Sequence, residues 1–263
     1  MNLEPTTDQQ LLVATLRRAA TSDDVTAWDV LAAAGLSTTP SMPRWGLLDW
    51  CLVLEELGAA GHDVALPLAV HAALDASPAE ERTREGLLAS VVERCRSEAG
   101  DAIGMDTDMD TDRLLIPRAA YAIGVGRACL ELAQTRAADR TISGRRLIEL
   151  QGPAHRLAHA AVLLTDARIG VWRAATEADT EEDTATPVGS WAAACAASRV
   201  EAAVTAAHEL VQVHGAAGTG DRRVVALYRA AYALPHTCGS PRLMWQRAGR
   251  QWLADSASNH GTS

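Results

Sequence analysis

Phenylalanine and lysine are missing from this 263-residue chain, so all 24 of its basic residues are arginine. The β-branched and aromatic residues that favour strands are thin and scattered, with aromatics at 4%, whereas alanine and leucine, strong helix formers, are everywhere. A sheet-based fold is thereby excluded in favour of an all-α one. A GC-rich genome accounts for the arginine and alanine bias without any functional reason. No apolar run is long enough for a membrane span, and the N-terminus begins acidic and polar, which argues against both a membrane and a signal peptide. The expected location is cytoplasmic. The five cysteines (Cys51, Cys95, Cys129, Cys195 and Cys238) are odd in number and widely spaced, the pattern of reduced, buried thiols rather than of a disulfide framework. A clustered positive stripe is also lacking, and a net charge of −9 speaks against nucleic acid, leaving open a small anionic ligand in a local arginine pocket.

What is present is ordinary globular composition, 48% hydrophobic and 22% charged, in a chain long enough to bury a core. Apolar residues at helical spacing predict helices over 6–20, 29–34, 45–60, 67–76 and 77–95. Residues 98–112 break the pattern, with Gly100 and Gly104 before an alternating run of Asp106, Asp108, Asp110 and Asp112. Longer helices are then expected over 112–138, 145–177, 187–213, 221–232 and 241–254, with Gly152-Pro153 perturbing the second and Pro117 falling near the start of the first. The resulting division is an N-terminal helical domain (1–97), a linker (98–111), a C-terminal four-helix bundle (112–254) and a polar, disordered tail (255–263).

Three motifs invite a ligand. The aspartate run resembles the opening of a calcium loop, but Thr111 stands where glycine is needed and Pro117 where a bidentate glutamate is needed, so it reads as linker. His155 and His159 have the spacing of two zinc ligands, yet no glutamate follows His155 and no third ligand is evident, so no metal is expected. Gly215, Gly218 and Gly220 lie between two helices, which excludes a Rossmann turn. They precede a helix N-terminus beside Arg222 and Arg223, where free backbone N–H groups suit a phosphate.

The segment Gln212-Val-His-Gly-Ala-Ala-Gly-Thr-Gly, followed by Leu227-Tyr228-Arg229, resembles the Gln-x-x-Gly-Gly-x-Gly and Tyr-Arg-Asp signature of the acyl-CoA dehydrogenase family. Arg140-Thr-Ile-Ser-Gly144 to Gln151 resembles the family's Arg-x-x-Phe-Gly…Gln element, and Leu234-Pro-His-Thr-Cys-Gly239 stands where the family has Ile-Tyr-Glu-Gly-Thr. In the N-terminal half, Arg44-Trp45-Gly46, the helix ending Leu54-Glu-Glu-Leu-Gly-Ala-Ala60, and Pro67-Leu68 resemble its helical N-domain. The family's central β-domain has no counterpart, since only about 35 residues separate the two blocks, too few for that sheet.

This resemblance implies an acyl-CoA dehydrogenase-like fold without the middle β-barrel domain. It also implies that Arg140, Gln151, Gln212, Gly215 and Gly218 help hold FAD, several of them across a subunit boundary. Ser143, Ala216 and Ala230 depart from the family pattern, and the family's common catalytic glutamate falls at Cys238. A family subset carries its base at the position of Asp112, just before Arg113, which makes Asp112 the candidate for α-proton abstraction against an N-cap or linker role. The expected protein is one subunit of a heteromeric, FAD-dependent acyl-CoA dehydrogenase, paired in an α2β2 assembly with a fuller dehydrogenase-like chain and acting on an acyl-CoA. The alternatives are a non-catalytic scaffold or regulatory subunit and a non-redox enzyme that reuses the helical fold.

Overall fold

The computed structural model describes residues 5–20, 46–61, 109–180 and 190–260. Its helices are α1 (Thr7–Ala19), α2 (Leu47–Ala59), α3 (Met109–Asp139), α4 (Gln151–Thr180), α5 (Ser190–His214), α6 (Arg222–Thr237) and α7 (Pro241–His260). A hairpin of β1 (Thr141–Ile142) and β2 (Arg145–Arg146), then a 3₁₀ turn (Leu147–Glu149), joins α3 to α4, and a second 3₁₀ stretch (Gly215–Gly220) joins α5 to α6. Among the described residues that antiparallel pair is the only sheet, as an all-α composition requires. The helices expected at 29–34, 67–76 and 77–95, and the linker up to residue 108, lie outside the described residues.

Several boundaries move for local reasons. Helix α4 starts at Gln151 rather than at 145, because Ser143 and Gly144 (φ 51° and 79°) make a tight hairpin turn that reverses the chain first. Pro153 then falls in the first turn, where a missing N–H costs nothing. Helix α3 begins at Met109, so residues 109–111 are helix rather than linker and Pro117 is interior, withholding a hydrogen bond from the carbonyl of Arg113. Helix α6 likewise runs through Pro235 to Thr237, and α7 continues to His260 through the polar residues that follow Ala254.

Helix α3 lies at the centre. It packs against α5, and both helices bury small side chains, Ala122, Ala133 and Ala137 on α3 and Ala196, Ala203 and Ala207 on α5. Side chains this small let the two backbones approach closely, and a Cβ on Gly126 would come within 2.9 Å of the Cα of Ala203. Against α2 the approach is closer still. A Cβ on Gly124 would overlap the carbonyl of Glu55, and one on Gly58 would overlap that of Tyr121.

Helix α2 is buried on every side from Trp50 to Gly58, including two carboxylates, Glu55 (2% exposed) and Glu56 (5%). Each is met by guanidinium groups from other helices. Arg127 of α3 donates to Glu55 at 2.6 Å and Glu56 at 2.8 Å, Arg168 of α4 to Glu55 at 2.9 Å, and Arg17 of α1 to both oxygens of Glu56 at 2.9 Å. Burial pushes the Glu56 carboxyl up, but the hydrogen bonds from Arg17 and Arg127 outweigh it and hold it below the usual range. Asp179 near the end of α4 closes the connection by accepting from the first backbone N–H groups of α2, Leu47 at 2.7 Å and Leu48 at 3.1 Å. The N-terminal helices thus share one core with the bundle.

Candidate functional site

The residues singled out by sequence divide between the two ends of the bundle. At one end Arg140, just past α3, donates from Nη1 to the carbonyl of Val213 at 3.0 Å, closing the C-terminus of α5. The next turn is possible because Gly215 has φ 59°, and a Cβ there would lie 3.5 Å from the same guanidinium. Arg140 is half-buried, and most of its donors remain for another partner. Gln151 and Gln212 are exposed. They belong to this same end, since Arg156, just over a turn beyond Gln151, pairs with Glu209, just under a turn before Gln212, at 2.9 Å.

Two parts of this end are explained without a ligand. Gly218 is buried, and a Cβ on it would come within 2.8 Å of the His214 Cβ, so packing alone demands glycine there. The N-terminus of α6, expected to offer free N–H groups to a phosphate, is already capped: Asp221 accepts from Arg223 N at 2.9 Å and Val224 N at 3.2 Å. Its carboxylate takes the place an anion would fill. Arg222 and Arg223 are exposed beside it.

At the other end Cys238 is 2% exposed and closes α6, its N–H bonded to the carbonyl of Leu234 at 2.7 Å. Its thiol points to the carbonyl of Arg118 at 3.6 Å. A buried thiol used in this way is not a base facing a substrate. The contact does bring the early turns of α3 against the end of α6. Asp112 lies on the helical backbone of α3, roughly 9 Å along the axis from Arg118. Its side chain lies outside the described residues. The two positions at which the resemblance puts a base therefore fall at one end of the molecule.

The span from Arg118 to Arg140 along α3 is roughly 33 Å, so the structure keeps the base-side positions far from Arg140, Gln212 and Gly215. Sequence reading passed over two further polar features. One is the Glu55–Glu56 cluster, signalled by consecutive carboxylates inside an apolar helix. The other is an exposed pair in which His208 Nδ1 lies 3.2 Å from the Tyr232 hydroxyl, with the Tyr228 and Tyr232 rings 4.4 Å apart. Nothing in the spacing of these residues announced that pairing. His155 and His159 are both exposed on α4, and among the described residues no group of three or more His, Cys, Asp or Glu is placed to hold a metal. No described helix is long and apolar enough to cross a membrane.

Comparison with known proteins bears on both ends. Residues 102–253 match the family model described as acyl-CoA dehydrogenase, C-terminal domain. The short-chain specific acyl-CoA dehydrogenase of Bos taurus mitochondria is 35% identical over 119 residues, which cover 45% of this chain but only 27% of that protein. Among solved structures, the ChsE4–ChsE5 complex from Mycobacterium tuberculosis superposes with a TM-score of 0.71 at 16% identity, over 96% of this chain and 99% of that one. The Tcur3481–Tcur3483 steroid ACAD does so with a TM-score of 0.69 at 16% identity, over 95% and 99%. At that identity these two establish the fold.

Proposed function

Because this chain belongs to the acyl-CoA dehydrogenase family, with its helical parts and without its central β-domain, we propose that it is one subunit of a heteromeric, FAD-dependent acyl-CoA dehydrogenase. The observation that carries this reading is the separation of the two ends. Along α3, Arg140 lies roughly 33 Å from the turn that Cys238 meets and roughly 42 Å from Asp112, and Gln151, Gln212 and Gly215 lie at the Arg140 end. A single chain does not bring both sets to one substrate. In a paired assembly the Arg140 end serves the flavin of a neighbouring chain, while Asp112 and Cys238 face a separate active site at the other end.

The residues at that end fit part of FAD. The two exposed amides and the half-buried guanidinium beside the Gly215 turn would hold it. Bound FAD supplies a two-electron acceptor for the hydride that leaves an acyl-CoA during α,β-dehydrogenation. In this reading Arg140 orients the turn through the Val213 carbonyl and presents its remaining donors to the cofactor. Gln151 and Gln212 hydrogen-bond to it from the flanking helices. The partner, a fuller acyl-CoA dehydrogenase-like chain in an α2β2 assembly, supplies the ring pocket, with Asp112 as the candidate base on this chain. Two neighbours of the same fold, the ChsE4–ChsE5 complex and the Tcur3481–Tcur3483 steroid ACAD, support a paired assembly.

A second reading, a scaffold that has lost catalysis, is favoured by Cys238, whose buried thiol replaces the family's common base. Co-expression with a full-length homologue decides between them. The dehydrogenase reading expects flavin absorption in the co-purified complex, reduced about tenfold in occupancy by Arg140→Ala. A complex that stays colourless retires it in favour of the scaffold.

A further inference from the structure

The carboxylates buried among the described residues are all matched: Glu55 and Glu56 by Arg17, Arg127 and Arg168, and Glu209 by Arg156. Arg199 on α5 is different. It is 2% exposed, and no carboxylate among the described residues forms an ion pair with it. Its Nε donates to the carbonyl of Ala167 at 2.9 Å and its Nη1 to Ser198 Oγ at 3.2 Å. The two N–H groups of Nη2 find no acceptor among the described residues. Burial holds the guanidinium below the ordinary arginine value, and the nearby Cys195, Asp166 and Cys51 offset this only in part. A buried cation without its counter-charge costs stability. Sequences break such rules chiefly at functional sites.

Gly170 on α4 marks the way in. It is half-buried, and a Cβ on it would overlap Arg199 Nη2, so the guanidinium edge stands where a side chain of α4 would otherwise be. Helices α4 and α5 run antiparallel, with Arg156 against Glu209 near one end and Ala167 against Arg199 farther along. The same two helices carry the exposed Gln151 and Gln212, and Gly170 lies roughly 28 Å along α4 from Gln151. A chain set against those two amides reaches Gly170 along the same pair of helices. We propose that a carboxylate side chain of the partner subunit enters at Gly170, pairs with Arg199 Nη2 and fixes how the partner lies on the bundle. The pair presupposes the heteromeric assembly proposed above, but not that flavin is bound there. Its effect is selective, since a partner with an apolar or basic side chain at that point strands the buried charge.

Arg199→Met removes the charge and keeps most of the volume, and it is measured in the free chain and in the complex with a co-expressed full-length acyl-CoA dehydrogenase homologue. In the free chain the urea midpoint is expected to stay unchanged or rise, because no counter-charge is stranded. In the complex, binding is expected to weaken about thirtyfold. Since the chain has no lysine, Arg199→Lys adds its one side-chain amine. Zero-length carbodiimide coupling is then expected to join position 199 to an Asp or Glu of the homologue, identified by peptide mass. An Arg199→Met free chain that unfolds or loses stability puts the counter-charge within this chain and overturns the proposal. Coupling that stays within the chain, or is absent, overturns it too. So does acetate that stabilises the free wild type but not Arg199→Met, which makes the ligand a small carboxylate. A yellow complex indifferent to Arg199→Met overturns the pairing and leaves the dehydrogenase reading intact. A colourless complex that depends on Arg199 does the reverse.

Discussion

Helix α3 is held on two sides by two kinds of contact. On the α5 side it meets alanine with alanine, and shape and proximity do the holding. On the α2 side two glycines let the backbones touch, and immediately beside them Glu55 and Glu56 are bound by Arg17, Arg127 and Arg168. An alanine seam offers several nearly equivalent registers, because neighbouring positions have almost the same size. The carboxylate cluster offers one, since a slip of either helix strands a buried charge. The comparison assigns cohesion to the first face and orientation of the N-terminal helices to the second.

That contrast can be broken from the charged side first. Glu55→Ala removes the carboxylate shared by Arg127 and Arg168, and a loss of about 3 kcal/mol is expected, measured as a shift in the urea midpoint. Gly124→Ala tests the crossing itself. Its Cβ has only backbone to displace, and about 2–3 kcal/mol is expected from overpacking. Gly126→Ala on the alanine side meets a Leu164 side chain that can rotate away as well as the Ala203 backbone, so about 1–2 kcal/mol is expected. If Gly126→Ala costs more than Gly124→Ala, the α5 face is the less tolerant one and the comparison reverses. The smallest effect is on pH dependence. The folded-state pKa of Glu56 is held below its ordinary value, so its contribution is complete above about pH 4.3 and is lost as pH falls through the depressed value. Glu56→Gln should lower stability at neutral pH and flatten the acid limb by no more than about 1.4 kcal/mol per pH unit. An unchanged acid limb means that the cluster is not what acid destabilises.

Much of the helical framework was legible. The apolar spacing of Leu47, Leu48, Cys51, Leu54 and Leu57 placed α2 within two residues of its observed bounds, because a continuous stripe with a following Gly61 leaves few choices. Prolines were read less well. Pro117 and Pro235 both sit inside helices, where local rules would end them. Packing on both sides of α3, and of α6 against its neighbours, outweighs one missing hydrogen bond. The start of α4 moves from 145 to 151 because Ser143 and Gly144 take positive φ and reverse the chain, a backbone choice that the helical spacing beyond them does not encode.

Of the candidate site, the sequence held the identities and the structure their grouping. Arg140 and Gly215 are 75 positions apart in the chain, yet the guanidinium closes the helix that ends just before Gly215. Gly218 was marked as a cofactor position, and its environment shows a glycine that packing already requires. The phosphate expectation at α6 met a cap, Asp221, visible in the sequence as an aspartate before a helix but not weighed as a competitor for the same N–H groups.

The sequence by itself determined the helical class, the absence of a β-domain and the family, because composition, spacing and ordered motifs are properties of the chain read in one dimension. Only the tertiary structure decided that α2 is buried on all sides with two paired carboxylates, that Cys238 is a cap, and that the Arg140 and Asp112 ends lie at opposite ends of α3. The physical reason is that burial, ion pairing and separation depend on which helices cross. Crossing is set by side chains distant in sequence, glycine against carbonyl and carboxylate against guanidinium, whose meeting no local pattern encodes.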